Sequence, residues 1–389
     1  MVKYKQVPED FIVSEINEFE IKKNGDYRLY SIEKKSIESL FLISFIGKTC
    51  NIPSKDIGIA GLKDKHAITK QYLTIPRKYE INLPDEKNII ITFIGFVDKP
   101  ITSGDLIGNE FQITVRDIKK GELDGIYQKA ETIASLGVPN YYDSQRFGSV
   151  ICGEFIAMYL IKKDYEFAVK IFMTASTRHE QQNLIAEKNF IYEHWKDFGK
   201  LTIGNPELSK IQDEYKKTGE FLFAYKRIPE KLRDLYISAY QSYIWNENLK
   251  QLLWKCIDKK RLYSIKYNIG SLTYFKSVSS DELSKLPKYF RTISHNMEFE
   301  NELEKEIIEK FLIKEGILLS DFNIHKATGN FFKTLSRDVL LFPTNFSISE
   351  PEVDELNDFG KNNLFKIQVS FTLPKGSYAT VVTKRLFNQ

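Results

Sequence analysis

A strand pattern near the C-terminus constrains this chain most. In "LFKIQVSFT", Phe365, Ile367, Val369 and Phe371 alternate with Lys366, Gln368 and Ser370, so one face of the segment is apolar and the other polar. Comparable strands lie far upstream, in "NIIITFIGFV" and in "EFQITVR", where Phe111, Ile113 and Val115 alternate with Gln112 and Thr114. Between them, beyond about residue 152, the apolar spacing is helical: "FIAMYLIKKDYEFAVKIF", "LRDLYISAYQSYIWNENLKQLLWKC", and "NELEKEIIEKFLIKEGI" with Leu303, Ile307 and Phe311 in register. The pattern predicts a sheet-rich domain interrupted by a mixed, helix-rich insertion and completed by the C-terminal segment, with divisions at 1–152, 153–338 and 339–389. Two helices are expected in the first part. One carries Ile37, Leu40, Phe41 and Phe45, with Ser36 as N-cap and Gly47 as stop; the other carries Leu123, Ile126, Tyr127, Ala130 and Ile133 and ends at Gly137 and Pro139.

The 389 residues suffice for two or three domains with a sizeable core. Basic residues number 56 against 52 acidic ones, so the net charge of +4 leaves any nucleic-acid surface to a local patch. Cys50, Cys152 and Cys256 are scattered, which argues against a disulfide framework or zinc site and fits a reducing, cytoplasmic compartment. The five histidines, His66, His179, His194, His295 and His325, form no metal-binding spacing. "LFLISFIG" is far short of the roughly 20 apolar residues that span a bilayer, so no membrane role is expected.

Chemistry-bearing residues concentrate in three stretches. "AGLKDKHAITKQ" places Asp64 just past a short strand, between Lys63 and Lys65 and ahead of His66. It reads either as a solvated turn or as a carboxylate held ionised by neighbouring ammonium groups, with Gly61 admitting a close partner. "NYYDSQRFG" sends Tyr141 and Tyr142 to opposite faces, so one lines a pocket at most; Asn140 and Gln145 suit a base edge or a turn, and Arg146 a phosphate or an ion pair. In "LPKGSYATVV", Lys375, Ser377 and Thr380 suit a phosphate cradle or an ordinary turn. Phe11 of "PEDFIVSEI" is a core residue or a stacking face, and Ser238, Ser242 and Asn246 at helical intervals mark close helix packing.

Taken in order, "PEDFIVSEI", "AGLKDKHAITKQ", "GNEFQITVRD", "GVPNYYDSQRFG", "SAYQSYIWN" and "LPKGSYATVV" resemble the tRNA pseudouridine synthase D (TruD) family. The resemblance implies an α+β fold: a mixed or antiparallel-sheet pseudouridine synthase catalytic domain with an inserted α/β TRUD domain. It also implies that Asp64 is the catalytic nucleophile or base of an isomerase acting on a uridine of tRNA, at position 13, without cofactor or metal. Phe11 and Tyr142 become aromatic walls around an extruded uridine, Asn140 a contact to base or sugar, and Lys5 an active-site cation. Lys63, Lys65, His66 and Arg146 are assigned to holding the RNA backbone or the active-site loop. The implied partner is tRNA, bound by a monomer with no obligate protein partner.

Two residues depart from the family pattern: Asp143 stands where glycine is usual, and Tyr142 where phenylalanine is usual. Asp143 is expected to point away from Asp64, since a facing carboxylate would raise its pKa. The rival reading is a non-catalytic tRNA-binding or tRNA-folding factor, against which the intact KDK sequence argues: an anionic side chain has no use in a phosphate-binding cleft unless it reacts. A magnesium-dependent nuclease lacks a second carboxylate cluster.

Overall fold

A computed structural model describes residues 2–83, 86–150, 153–176, 180–360 and 363–388; Cys152 and His179 lie outside them. The chain divides into two compact units, Met1–Val138 with Leu341–Gln389, and Pro139–Leu340.

The first unit is built on one mixed sheet. Its main strands are β1 (Phe11–Ile16), β2 (Tyr27–Lys35), β3 (Ile68–Pro76), β4 (Ile89–Val97), β5 (Gly108–Lys119), β6 (Thr344–Ile348) and β7 (Leu364–Pro374). They lie in the order β6-β7-β5-β1-β3-β2-β4. Among the described residues of this sheet, only the β1–β3 pairing is parallel, with Ile12 opposite Ile68. The C-terminal strand is an interior strand, between β6 and β5: β7 pairs antiparallel with β5, Phe371 opposite Phe111 and Val369 opposite Ile113. All four of these side chains are buried, as the period-two pattern requires. On the other half of the sheet Tyr30, Ile32, Leu73 and Ile75 form a core with Leu42 and Ile46 from the helix Ser39–Thr49.

That helix differs from expectation in start and face. Ser36 adopts a left-handed turn (φ 59°) instead of capping, the helix begins at Ser39, and it runs through Gly47 to Thr49. Leu42 and Ile46, one turn apart, face the core, while Leu40 and Phe41 are exposed. Helix Leu123–Leu136 follows expectation: Ile126, Ala130 and Ile133 are buried and Gly137, with φ 68°, ends it. A Cβ at Gly137 would lie 2.7 Å from the Leu341 carbonyl oxygen, so both backbone angle and space require glycine.

The second unit is mainly helical around the 27-residue helix Glu230–Cys256, which buries Tyr240, Ile244, Trp245, Leu249, Leu252 and Leu253. It also holds a hairpin, Leu262–Tyr267 with Gly270–Phe275, and a short antiparallel pair, Tyr289–Arg291 with Ser336–Asp338. The unit begins at Pro139, so "NYYDSQRFG" belongs to it; the division expected at 152/153 lies farther along the chain because residues 140–147 make their hydrogen bonds within this unit. Among the described residues no helix is long and apolar enough to cross a membrane.

Candidate active site

The loop carrying Asp64 is pinned at its ends by two buried alanines, Ala60 and Ala67. Between them the side chains part. Lys65 and His66 are exposed, whereas Lys63 turns inward. Its ammonium pairs with Glu15 at 2.9 Å and donates to Asn109 Oδ1 at 2.8 Å, while its backbone N–H donates to Ser39 Oγ at 2.9 Å. The other Glu15 oxygen accepts the Tyr72 N–H at 3.1 Å. The Lys63 ammonium is thus engaged within the protein, by Glu15 and Asn109. A Cβ at Gly61 would meet open space, so no part of the chain itself demands glycine there.

Asp64 is half-buried, and its carboxylate forms a short ion pair with Lys5. Lys5 has a left-handed backbone (φ 54°), which costs a non-glycine residue on the order of 1 kcal/mol. Its ammonium lies 3.9 Å from the centre of the Phe11 ring, a cation–π contact on the way to Asp64. Phe11 is itself buried edge-on against Phe111 at 6.2 Å. Phe11, Lys5 and Asp64 therefore form one row in which the aromatic ring seats the cation and the cation holds the carboxylate. The exposed Lys375 ammonium donates to the Gly104 carbonyl at 3.0 Å, and its backbone N–H to Ile107 O at 2.9 Å. The turn is completed by Gly376 at φ 79°.

In the second unit Tyr141 and Tyr142 part as the sequence suggested. Tyr141 is fully buried, donates its hydroxyl to Thr273 O at 2.9 Å and has its pKa pushed up, chiefly by burial. Tyr142 keeps part of its ring exposed. Its backbone N–H donates to Asn246 Oδ1 at 2.9 Å, and its carbonyl accepts from Asn246 Nδ2 at 2.8 Å. The ring stands edge-on to Trp245 at 5.7 Å, beneath the Arg337 guanidinium at 4.1 Å. Arg337 also donates to the Asn140 side chain at 2.7 Å and to its carbonyl at 3.0 Å, while Asn140 Nδ2 donates to Asp338 O at 3.0 Å. Among the described residues, one N–H of that amide and one oxygen lone pair have no further partner. Arg146 donates from Nε to Ser242 Oγ at 3.1 Å. Asp143 is buried, with Tyr267 among its charge neighbours.

Sequence reasoning missed Glu15, Ser39, Asn109 and Arg337. The first three are buried or half-buried polar groups inside strand and helix patterns. Arg337 lies 197 residues from the asparagine it orders, so spacing gave no signal. Asn246 and Ser242 had been singled out by their helical spacing; that face of the helix holds residues 142 and 146.

Residues 2–386 match the family model for tRNA pseudouridine synthase D (TruD). A probable tRNA pseudouridine synthase D 1 of Methanococcus maripaludis is 38% identical, with all of both chains covered. A probable tRNA pseudouridine synthase D 2 of Methanocaldococcus jannaschii is 40% identical over 99% of this chain and 92% of its own. The crystal structure of a putative tRNA pseudouridine synthase D from Methanosarcina mazei superposes with a TM-score of 0.75 and 25% identity, covering 100% of this chain and 93% of the other. The α+β expectation holds, and the chain belongs to the tRNA pseudouridine synthase D family.

Proposed function

We propose that this protein isomerises a uridine of tRNA, at position 13, to pseudouridine, with Asp64 as the reacting residue. The observation that carries this reading is the Asp64–Lys5–Phe11 row, which presents a half-exposed carboxylate paired with a single seated cation. An anionic oxygen next to a ribose C1′ can meet the positive charge that grows there as the glycosidic bond breaks. As a nucleophile, Asp64 forms an O–C1′ bond while the N1–C1′ pair leaves with uracil. As a base, it takes a sugar proton while the same bond breaks. In both routes the uracil turns and C5 bonds to C1′; Asp64 is restored as its O–C1′ bond breaks in the first route and as it returns the proton to the sugar in the second, and the C5 proton leaves to solvent while N1 is protonated.

Phe11 and Tyr142 serve as aromatic contacts to the extruded base, and the free N–H of Asn140 as a donor to base or sugar. Lys65, His66, Arg146 and Lys375 contact the RNA backbone and position the strand, carrying no sequence information themselves. The enzyme acts as a cytoplasmic monomer.

The test is tritium release from C5-tritiated uridine in unmodified tRNA transcripts. Wild type releases tritium and Asp64→Asn does not, although both bind the transcripts alike. Release by Asp64→Asn would overturn the assignment, and tight binding without release by wild type would favour a tRNA-binding factor.

A further inference from the structure

We propose that Lys34 is a positioning residue for this reaction: its buried ammonium holds the main-chain carbonyl of Asp64 and thereby fixes where the Asp64 carboxylate points. The inference rests on Asp64 being the residue that reacts.

On β2 the core-facing row reads Tyr30, Ile32, Lys34, with exposures of 3%, 0% and 1%. A lysine at the end of an apolar row is costly, because its charge loses water and its long side chain loses rotamer freedom. A leucine or methionine would fill the space without either cost. The ammonium is used on main-chain carbonyls: it donates to Ile37 O at 2.6 Å and to Asp64 O at 3.3 Å. The left-handed turn at Ser36 folds Ile37 back over the strand end, and the Ser36 N–H is itself bonded to Ala67 O at 3.1 Å, at the far end of the Asp64 loop. Among the described residues no carboxylate comes within ion-pair distance of Lys34. So buried a group cannot touch substrate, and its effect on chemistry passes through the loop it holds.

The charges that face Lys34 are Asp64 and Lys63 from the loop and Glu38 from the start of the helix; its strand neighbours, Thr69 and Ile89, are uncharged. Burial outweighs the two carboxylates, and Lys63 opposes them, so the Lys34 pKa falls from 10.5 to about 8. Between about 8 and 10.5 the unfolded chain binds more protons than the folded one, so this group makes stability rise with pH across that window. Activity should move the opposite way, because the neutral amine holds the Asp64 carbonyl less firmly. Opposite pH trends in stability and turnover separate a positioning role from a merely structural one.

The experiment compares wild type with Lys34→Met and Lys34→Arg in tritium release from tRNA, from about pH 7 to about pH 9.5. Lys34→Met should lower kcat at neutral pH on the order of 100-fold, the effect of a reacting group displaced by about 1 Å, with KM for tRNA unchanged. The deficit should shrink as pH rises, since wild type then loses the same charge. A kcat close to wild type, or a deficit constant across the range, would overturn the proposal. If Lys34→Met does not fold, Lys34→Arg decides: it stays charged, so its activity relative to wild type should rise with pH, and a flat ratio counts against the role. A 13C-lysine NMR titration of wild type needs no variant and no turnover. A Lys34 titration tracked by the amides of residues 63–65 supports the hold on the loop even if tRNA proves the wrong substrate, and amides that ignore it refute the hold.

Discussion

The Asp64 loop and the 140–146 segment both carry residues assigned to the uridine, yet the protein holds them by different physics. Around Asp64 the supports are lysine ammonium groups: buried Lys63 on Glu15, buried Lys34 on two carbonyls, and half-buried Lys5 on Asp64 itself. Around Tyr142 they are aromatic and amide contacts: Trp245 at its edge, Arg337 over its face, and the two ends of the Asn246 amide on its backbone. The contrast fits the proposed tasks. A reacting carboxylate needs a fixed electrostatic field, and buried ions with few alternative partners supply one. A ring that lies against a base needs only a fixed plane, which packing and hydrogen bonds give at lower desolvation cost.

The largest effect expected from breaking this contrast is at Asp64. Asp64→Asn should reduce tritium release by at least 10³-fold, about 4 kcal/mol of transition-state stabilisation, while the melting temperature and tRNA affinity stay near wild type. Next is the ionic frame beneath it. Glu15→Gln strands the Lys63 ammonium in a buried site and should cost about 3 kcal/mol in urea unfolding. In the second unit, Asn246→Ala leaves the Tyr142 N–H and carbonyl without their amide partners and should cost about 2 kcal/mol, measured the same way. A weak effect at Glu15 with a strong one at Asn246 would reverse the comparison. The smallest effect belongs to the exposed Lys375. Lys375→Ala should change stability by less than about 0.5 kcal/mol and appear only as weaker tRNA binding with a shallower salt dependence.

Period-two alternation identified β5 and β7 before any coordinates, because a half-buried strand must alternate whatever its neighbour. The helix after β2 was found but misfaced: Leu40 and Phe41 are as apolar as Leu42 and Ile46, and hydrophobicity alone does not say which stripe meets a sheet. Lys34 shows the same limit from the other side. As a charged residue it reads as solvent-facing, and only the structure shows it on the core face with Tyr30 and Ile32.

By itself, then, the sequence determined which residues are candidates for the chemistry, since Asp64, Lys5, Phe11, Asn140 and Tyr142 stand in motifs whose order and spacing are local properties of the chain. It also determined that the C-terminal strand belongs with the N-terminal ones, because their patterns match. Tertiary structure alone decided what each of these residues leans on. Glu15 reaches Lys63, Lys34 reaches Asp64 and Arg337 reaches Asn140 across separations that no periodicity spans. Such partners are chosen by chain folding that brings buried polar groups together and leaves each of them a need for a donor or acceptor.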